Sequence, residues 1–457
     1  MTYKNSKWMT EDSIADVDLF IAQHPEITSI DLILFDINGI ERGKRIPVSM
    51  LEKVVRHGVC MPASVFALDI NGETVEETGL GFAQGDSDRV CRIVDGTLTV
   101  IPWKPGVAQA IITMLDQNQV DGFFSDPRQV LNKQLIEMAN KNYFPCVAVE
   151  FEFYLQDLEL DADGKPQPPL MPNSQQRMEK TQVYSLEELD EFREFIDEII
   201  AACELQNIPA ANITAEYAPG QFEVNLNHNL DVVQACDQAM AMKRVVREVA
   251  KKHGFKANFM AKPYREYSGS GCHVHISVFD ENGMNVFNHT PEILNYSIAG
   301  ILQYMPDTMA IIAPNANSYR RFQPNMFVSL WPNWGWDNRT VALRVPADTG
   351  QNRRLEHRIS GADCNPYLVI AAILATMQEG IEQHMVPSEP ISGNAYELEG
   401  SNFLPQSWLH AIDKFQSSDV LYQRLSAEFC NVYQQNKRSE QQSFFSQVSS
   451  LDYEWYL

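Results

Sequence analysis

The sequence predicts an α+β fold with two domains. Helices and short strands interleave without the regular strand–helix–strand period of a parallel sheet, and the chain has no internal repeat or low-complexity tract. Pro102 and Pro105 stand close together, and because proline interrupts strand pairing and stiffens a connector, we expect a domain boundary there. The expected domains are 1–104, a small unit rich in strands, and 105–457, the larger unit.

Each element is predicted from its own local pattern. Hydrophobic alternation predicts a first strand at 30–35 and, after a turn at 36–39, extended chain at 42–46. Beyond residue 105, N-capping residues stand before hydrophobic side chains at helical spacing. The predicted helix starts are Asp126 before Pro127, Ser185 in a capping box with Glu188, and Asp231 at the head of a long helix that Gly254 ends.

The chain is strongly acidic. Its 457 residues include 60 Asp and Glu against 36 Lys and Arg, a formal charge of −24. This charge argues against nucleic acid or an anionic membrane surface as a partner, although a local basic pocket could still hold a small anion. The longest apolar run, 367–375, is too short to span a bilayer, and the N-terminus carries no secretory signal. Eight scattered cysteines form no CxxC pair, so we expect a cytoplasmic protein without a zinc knuckle or disulfide framework.

Two carboxylates share one face of a strand predicted at 147–154. The two-residue period of a strand puts Glu150 and Glu152 on one side, and Val149 and Phe151 on the other. Side chains two residues apart along a strand are about 7 Å apart, which suits shared coordination of hard divalent cations.

Three further segments have one ionic face. A single such strand is explained more simply by a polar face in water, so the metal hypothesis depends on whether the four faces converge. Together they supply five carboxylates and a histidine, a set typical of Mg²⁺ or Mn²⁺ rather than of a sulfur-rich zinc site. The informative residues are Glu216 and Glu223 in the second segment, His273, His275 and Ser277 in the third, and Glu356 between Arg354 and Arg358 in the fourth.

An arginine-rich window lies at 319–358. It contains seven arginines, no lysine and three acidic residues, a local charge of +4 against −28 for the rest of the chain. Arginine without lysine favours bidentate contacts with phosphate or carboxylate, although surface ion pairs remain the simpler explanation for Arg320 and Arg353. Because neither a Walker loop nor a GxGxxG turn is present, metals and arginines would have to hold any nucleotide. Such a site indicates phosphoryl transfer and, with a carboxylate substrate, an ATP-dependent ligase.

Eight motifs occur in the order in which the glutamine synthetase family has them, and the chain resembles that family over nearly its whole length. The resemblance implies a β-grasp-like N-terminal domain and a catalytic domain of antiparallel strands that form a half-barrel flanked by helices. The motifs are Glu150-Phe-Glu152-Phe, Glu216-Tyr-Ala-Pro-Gly-Gln-Phe-Glu223, Phe259-Met-Ala-Lys-Pro263, Gly269-Ser-Gly-Cys-His273-Val-His275, Asn317-Ser-Tyr-Arg-Arg321-Phe, Asn338-Arg339-Thr-Val-Ala-Leu-Arg344-Val-Pro346, Arg354-Leu-Glu356-His-Arg358 and Ala362-Asp-Cys-Asn365-Pro-Tyr367.

The same resemblance implies a role for each site residue. Two ions, Mg²⁺ or Mn²⁺, would position the glutamate carboxylate and the phosphates of ATP. The implied ligands are Glu152, Glu216 and Glu223 for one ion, and Glu150, His273 and Glu356 for the other. The implied ATP-binding residues are Arg339, Arg344, Arg354, His275 and Ser277, and the implied glutamate-binding residues are Gly269, Arg321 and Arg358.

The resemblance also implies a reaction and an assembly. The glutamate γ-carboxylate would attack the γ-phosphate of ATP to give γ-glutamyl phosphate, which an amine then displaces. The family forms its active sites between subunits of stacked rings, so we expect a homo-oligomer. Asp69 would then approach the amine site of the next subunit and act in catalysis with Arg321 and Arg339. Read without the family, Asp69 is only a turn residue.

The chain departs from the family pattern where the amine binds. Phe327 stands where enzymes that use ammonium have a flap glutamate, and Ser268 replaces the usual asparagine before Gly269. A phenyl ring cannot accept a proton. The flap, the segment 327–336, also carries Trp331, Trp334 and Trp336, and these rings with Phe327 could either form an aromatic wall for an alkyl ammonium or only pack the flap.

Other stretches point to the same part of the family. Ser318-Tyr-Arg-Arg-Phe-Gln-Pro and segments near the N-terminus resemble its members that join glutamate to polyamines in polyamine breakdown. We therefore expect putrescine or another polyamine as acceptor. The alternatives are a glutamine synthetase that uses ammonium and, less favoured, an inactive nitrogen or polyamine sensor. Tyr396 lies near the position of a modified tyrosine in some relatives, and we expect it to be unmodified.

Overall fold

The first sheet is built from strands in the N-terminal part of the chain. The computed structural model describes residues 8–82, 85–180, 182–398, 400 and 403–457. The strand order is β2-β1-β6-β4-β3, with β5 also on β6; β1 and β6 are parallel and the other pairs antiparallel. The strands are β1 Ser29–Phe35, β2 Glu41–Pro47, β3 Val59–Pro62, β4 Asp88–Ile93, β5 Thr99–Val100 and β6 Val107–Met114.

The first sheet extends past the expected domain boundary. Strand β6 lies after the boundary predicted between 104 and 105, yet it pairs with β1, β4 and β5. The prolines at 102 and 105 interrupt pairing only locally, between two strands of the same sheet. We propose that the division between the two units lies after β6, before the next helix.

The second sheet has eight strands and forms the curled half-barrel of an α+β fold. Its order is β12-β13-β14-β11-β7-β9-β8, with β10 on the end of β7; the pair β12 and β13 is parallel and the others are antiparallel. The strands are β7 Phe144–Asp157, β8 Ala210–Ala215, β9 Gln221–Leu226, β10 Phe255–Asn258, β11 Cys272–Phe279, β12 Trp334–Trp336, β13 Leu343–Val345 and β14 Leu355–His357.

Helices cover the apolar side of this sheet. Helices α3 and α6 pack on β7, and α9, almost entirely buried, packs on both helices and on α8. None of the described helices is both long and apolar enough to cross a membrane. The helices are α1 Ile14–Gln23, α2 Leu51–His57, α3 Pro127–Ala139, α4 Leu186–Glu191, α5 Arg193–Leu205, α6 Val232–Lys252, α7 Val286–His289, α8 Pro291–Ile312, α9 Pro366–Glu382, α10 Trp408–Gln416, α11 Asp419–Leu425, α12 Ala427–Ser446 and α13 Ser450–Tyr456.

The predicted helix starts are confirmed, with one difference in continuity. Asp126 accepts a hydrogen bond from the backbone of α3, Ser185 from that of α4, and Asp231 from that of α6. The helix expected to run on from Ser185 is instead split into α4 and α5, because Phe192 leaves helical geometry at ψ 19°. Phe192 is buried against Phe222 and Phe255, so tertiary packing explains the break.

A buried ion pair joins the helices behind the sheet. The guanidinium of Arg128 in α3 donates to both carboxylate oxygens of Asp237 in α6, at 2.9 and 3.0 Å. The hydroxyl of Tyr367 in α9 donates to the same carboxylate at 2.6 Å. Loss of one partner would leave a buried charge without its counterion, which is costly in a low-dielectric interior.

We expect Asp237→Ala to lower the free energy of unfolding by about 3–5 kcal/mol, because it removes the buried carboxylate that pairs with the guanidinium of Arg128. The control is Asp197→Ala, which removes an exposed ion pair with Arg193 in α5 and should cost at most about 0.5 kcal/mol. Urea denaturation followed by tryptophan fluorescence measures both values. Equal losses for the two variants would show that the buried pair has no special role in joining the helices.

Candidate active site

The register of the second sheet brings the ionic side chains together. The order β14-β11-β7-β9 makes the four strands with ionic faces consecutive neighbours. Directly opposed residues of antiparallel strands have Cβ atoms about 4.5–5.5 Å apart, so their side chains crowd on one face of the sheet. The opposed pairs are Glu356 with His275, His273 with Glu150, and Glu152 with Glu223.

Two groups of these side chains could each hold a metal ion. Within each group the potential ligand atoms all lie within 4.8 Å of one another. The groups are Glu150, His273 and Glu356, and Glu152, Glu223 and His273. The first has the same members as one of the two expected ligand sets. The second group contains Glu152 and Glu223, two members of the other expected set. The third expected member of that set, Glu216, lines one cavity together with them.

Neighbouring imidazole and guanidinium groups stabilise the ionised forms of two of the glutamates. Burial alone would raise the pKa of Glu150, but hydrogen bonds from His273 and His275 outweigh it and the pKa is lowered. Burial opposes ionisation of Glu356 as well, and Arg358 with the two imidazoles lowers its pKa to about 2. Both carboxylates are therefore anionic at neutral pH.

Two further glutamates, Glu216 and Glu223, are in the opposite situation. Burial, followed by repulsion from Glu152, raises the pKa of Glu216 to about 8. Burial and repulsion from Glu150 raise the pKa of Glu223 to about 9. Without a cation these groups hold protons at neutral pH, and a divalent ion would replace those protons. The donor set thus fits divalent metal binding.

The hydrogen bonds of His275 identify its tautomer. Arg354 donates through Nε to His275 Nδ1 at 3.2 Å, so that nitrogen carries no proton. His275 Nε2 lies 2.8 Å from Glu150 Oε1 and must be the donor of that bond. The chain Arg354, His275 and Glu150 therefore connects the arginine cluster to the carboxylate cluster.

The predicted arginines reach the site from several loops and strands. Arg344 in β13 donates to Glu356 at 2.7 Å and to Asp337 at 2.6 Å, and Arg358 also donates to Glu356. Arg354 donates to Asp348 at 2.5 Å. Arg339 donates to the hydroxyl of Tyr184 at 3.1 Å.

Two neighbouring cavities share the centre of the cluster. The main cavity, of about 480 Å³, contains all six predicted metal ligands together with Gly269, Arg321, Phe327, Arg339, Arg344 and Arg358. The second, of about 300 Å³, is lined by Ser277, Arg354 and apolar side chains of β7, β9 and β11. Glu150 and His275 line both cavities, so the two spaces meet at these side chains.

Arg321 is held rigidly at the wall of the main cavity. It is buried, and its guanidinium donates to the backbone carbonyls of Ile359 at 2.7 Å, Ser360 at 3.1 Å and Arg358 at 3.3 Å. A Cβ at Gly269 would lie 2.6 Å from Arg321 Cγ and from the carbonyl of Ala261. Only glycine therefore leaves room for Arg321 at this point.

The four aromatic rings considered for an aromatic wall do not form a single surface. Phe327 lines the main cavity and packs edge-on against Tyr217, with ring centroids 6.0 Å apart. Trp331 lines a separate cavity, of about 450 Å³. Trp334 is buried, and Trp336 stacks beneath Arg353. Of these four rings, only that of Phe327 lines the main cavity.

Three other predicted residues have local partners. Asp69 does not line the main cavity of its own chain; its carboxylate accepts from the backbone of Asn71 and Glu73, both at 2.9 Å, as a turn residue does. Ser277 donates to the carbonyl of Arg353 at 3.0 Å. Ser268 donates to the side chain of Gln221 at 2.6 Å, which ties the substituted position to β9.

Sequence reasoning missed seven residues that line the main cavity: Val183, Tyr184, Asn212, Tyr217, Gln221, Asn225 and Met326. Gln221 donates to Glu152 at 3.3 Å and Asn225 to Glu223 at 2.8 Å, so both amides orient proposed ligands. Their two-residue spacing around Glu223 could have identified them. Tyr184 and Tyr217 lie on loops, where no periodic pattern marks the direction of a side chain.

The chain matches known proteins along nearly its whole length. Residues 124–456 match the family model of the glutamine synthetase catalytic domain. The gamma-glutamylputrescine synthetase PuuA of Escherichia coli (strain K12) is 43% identical over 97% of this chain and 94% of its own length. A glutamate–isopropylamine ligase of a Pseudomonas species is 33% identical over 96% of both chains.

A solved structure has a similar fold. The structure of a GmaS–ADP complex covers 96% of this chain and 99% of its own, with a TM-score of 0.83 and 24% identity. The half-barrel sheet, the consecutive ionic strands and these matches lead to one conclusion. The chain belongs to the glutamine synthetase family of ligases.

Proposed function

We propose that the protein is an ATP-dependent ligase that joins the γ-carboxylate of glutamate to putrescine or a related polyamine. The observation that carries this proposal is the convergence of five carboxylates, two imidazoles and the arginines around two neighbouring cavities that share Glu150 and His275. The matches with the Escherichia coli and Pseudomonas ligases, whose names specify glutamate–amine ligation, support it.

Two ions, Mg²⁺ or Mn²⁺, are proposed to bind at the carboxylates. Glu152, Glu216 and Glu223 would hold one, and Glu150, His273 and Glu356 the other. The close approach of the ligand atoms and the raised pKa of Glu216 and Glu223 both support this assignment, since burial and like-charge repulsion leave those groups short of positive charge. Bound ions would neutralise phosphate charge and act as Lewis acids.

Glutamate is proposed to bind at Arg321, Arg358 and Gly269. The guanidinium of Arg358 is buried, and its Nε has no hydrogen-bond partner among the described residues. Such a donor suits a substrate carboxylate. Arg321, fixed by three carbonyls, would hold positive charge beside the reacting carboxylate at a constant distance, which favours the transition state without reorganisation.

ATP is proposed to enter through the second cavity. Its wall carries Ser277 and Arg354, and Glu150 and His275 line both this cavity and the main one. A nucleoside bound there would direct its phosphates toward the carboxylates, where Arg339 and Arg344 line the main cavity. These arginines would contact phosphate oxygens as negative charge shifts to the leaving group.

The reaction then has two steps. A γ-carboxylate oxygen of glutamate attacks the γ-phosphorus, and ADP leaves. The amine nitrogen attacks the acyl carbon of γ-glutamyl phosphate, phosphate leaves, and the nitrogen loses a proton. Phe327 cannot accept that proton. We propose that the chain assembles into stacked rings and that Asp69 of a neighbouring subunit accepts it.

The acceptor is assigned from the flap. Phe327 and Tyr217 offer apolar ring surface where a flap carboxylate would favour ammonium, and this supports an alkyl amine. A glutamine synthetase that uses ammonium is the second candidate. An inactive sensor is less favoured, because it has no chemical need for the complete ligand set.

Phosphate release with ATP, glutamate and Mg²⁺ tests the proposal against ammonium, putrescine, cadaverine, spermidine and butylamine. We expect kcat/KM to be highest for putrescine or another polyamine. Glu152→Ala should abolish release with every amine, because it removes a metal ligand rather than an acceptor contact. Preference for ammonium would disprove polyamine ligation, and no turnover with any amine would favour the sensor.

We expect the metal-free protein to lose thermal stability as pH rises from about 5 to 9. Glu223 has a pKa of about 9 in the folded state against 4.5 in its ordinary state, so over this range the folded protein binds more protons and stability falls with rising pH. Glu223→Gln should flatten this pH dependence and weaken the stabilisation by Mg²⁺. Thermal unfolding in EDTA and in Mg²⁺ measures both effects.

Glu428→Gln, at an exposed position of α12, is the control for the change in net charge. It should retain the pH dependence and the response to Mg²⁺ of the unmodified protein. If Glu223→Gln behaves in the same way, the cluster is not the metal site.

Phe327→Glu should raise the ratio of ammonium to putrescine turnover about tenfold or more, since a carboxylate at the flap can bind ammonium and accept its proton. The matched control is Phe403→Glu, at an exposed ring on the separate cavity, and it should leave the ratio unchanged. Steady-state kinetics with both amines gives the ratio. An unchanged ratio in Phe327→Glu would show that the flap residue does not set acceptor choice.

A further inference from the structure

The mouth of the main cavity is lined by aromatic and other apolar side chains, and it has no carboxylate other than the proposed metal ligands among the described residues. Its apolar lining comes from three loops that contribute Val183 and Tyr184, Tyr217, and Met326 and Phe327. Every acidic residue that lines the cavity, within the described chain, is one of the five glutamates proposed to bind metal. A second ammonium on an acceptor amine would therefore find no uncommitted carboxylate there.

Tyr217 and Phe327 form one edge of this mouth. Their rings are about half exposed, at 51% and 47%, although their centroids are only 6.0 Å apart at 60°. Phe327 is held at φ +54°, a left-handed conformation that is unfavourable for an aromatic residue. The flap thus keeps the ring of Phe327 beside Tyr217 at a cost in backbone energy.

The two tyrosine hydroxyls at the mouth, those of Tyr184 and Tyr217, differ in their hydrogen bonding. The hydroxyl of Tyr184 accepts a hydrogen bond from Arg339 at 3.1 Å, so a cation nearby would also meet the positive charge of that arginine. The hydroxyl of Tyr217 makes no hydrogen bond with any described residue of the protein. It is an available acceptor, and its ring follows directly after Glu216 in the chain.

We propose that Tyr217 determines specificity for a diamine acceptor. Its ring and that of Phe327 contact the methylene chain, and its hydroxyl accepts a hydrogen bond from the distal ammonium. The near amino group then lies toward the carboxylates, where the acyl phosphate forms. This assignment rests on the proposed function. The hydroxyl of Tyr217 is the group that distinguishes a diamine from a monoamine of equal length.

The experiment compares putrescine with butylamine, which has the same four carbons and no distal ammonium. Tyr217→Phe removes only the hydroxyl and should lower kcat/KM for putrescine about tenfold, while butylamine changes less than about twofold. Tyr217→Ala removes the ring as well and should lower kcat/KM for both amines. The KM values for ATP and glutamate should not change in Tyr217→Phe.

Tyr304→Phe is the matched control, since it makes the same change on α8, outside the cavity, and should leave both amines unaffected. The inference is overturned if Tyr217→Phe keeps the putrescine-to-butylamine ratio of the unmodified enzyme. It is also overturned if the unmodified enzyme does not prefer putrescine to butylamine, because no distal ammonium is then recognised. Failure of the proposed function is distinct: no amine other than ammonium would support phosphate release.

Discussion

Repulsion between carboxylates on neighbouring strands is the constraint on which the arrangement of the site depends. Backbone pairing sets Glu152 opposite Glu223 and Glu150 opposite His273 before any ligand binds. Imidazoles and arginines stabilise the anions of Glu150 and Glu356, whereas burial and like charge raise the pKa of Glu216 and Glu223. One part of the cluster is thus neutralised by the protein itself, and the other part needs protons or divalent cations.

The carboxylates stay close together because the buried apolar face of the sheet prevents the strands from rotating. Val149, Phe151 and Phe153 on the reverse side of β7 are completely buried, and α3 and α6 pack over them. A rotation that moved Glu150 or Glu152 away from its neighbours would expose those side chains, at about 1.5–3 kcal/mol for each one. The ion pair between α3 and α6 holds the helices together behind the strand. The apolar layer therefore fixes the positions of the carboxylates.

The sequence pattern predicts which side chains share a face, and much less about how the faces meet. Alternation around Glu150 and His273 is a local property with a period of two, and the structure confirms it. The order of strands depends on pairings between residues far apart in the chain. Whether the ionic faces converge can therefore be seen only in the fold. Trp331 and Phe327 lie four residues apart yet line different cavities, and left-handed conformations at Asn325 and Phe327 itself change the course of the chain at this point. The break at Phe192 has the same origin: packing with distant rings overrides a continuous helical pattern.

Most of the proposed metal ligands lie on strands, whereas the groups proposed to bind the amine lie on loops. Five of the six proposed metal ligands lie on β7, β9, β11 and β14, where register holds them; Glu216 follows the end of β8. The groups proposed to meet the amine lie on loops at 183–184, 217 and 326–327, outside the sheet's hydrogen-bond ladder. A substitution there changes the mouth of the cavity without disturbing strand pairing. Relatives named for putrescine and for isopropylamine match this chain at 43% and 33% identity, and such a separation explains how one family retains activation of glutamate while its acceptor changes.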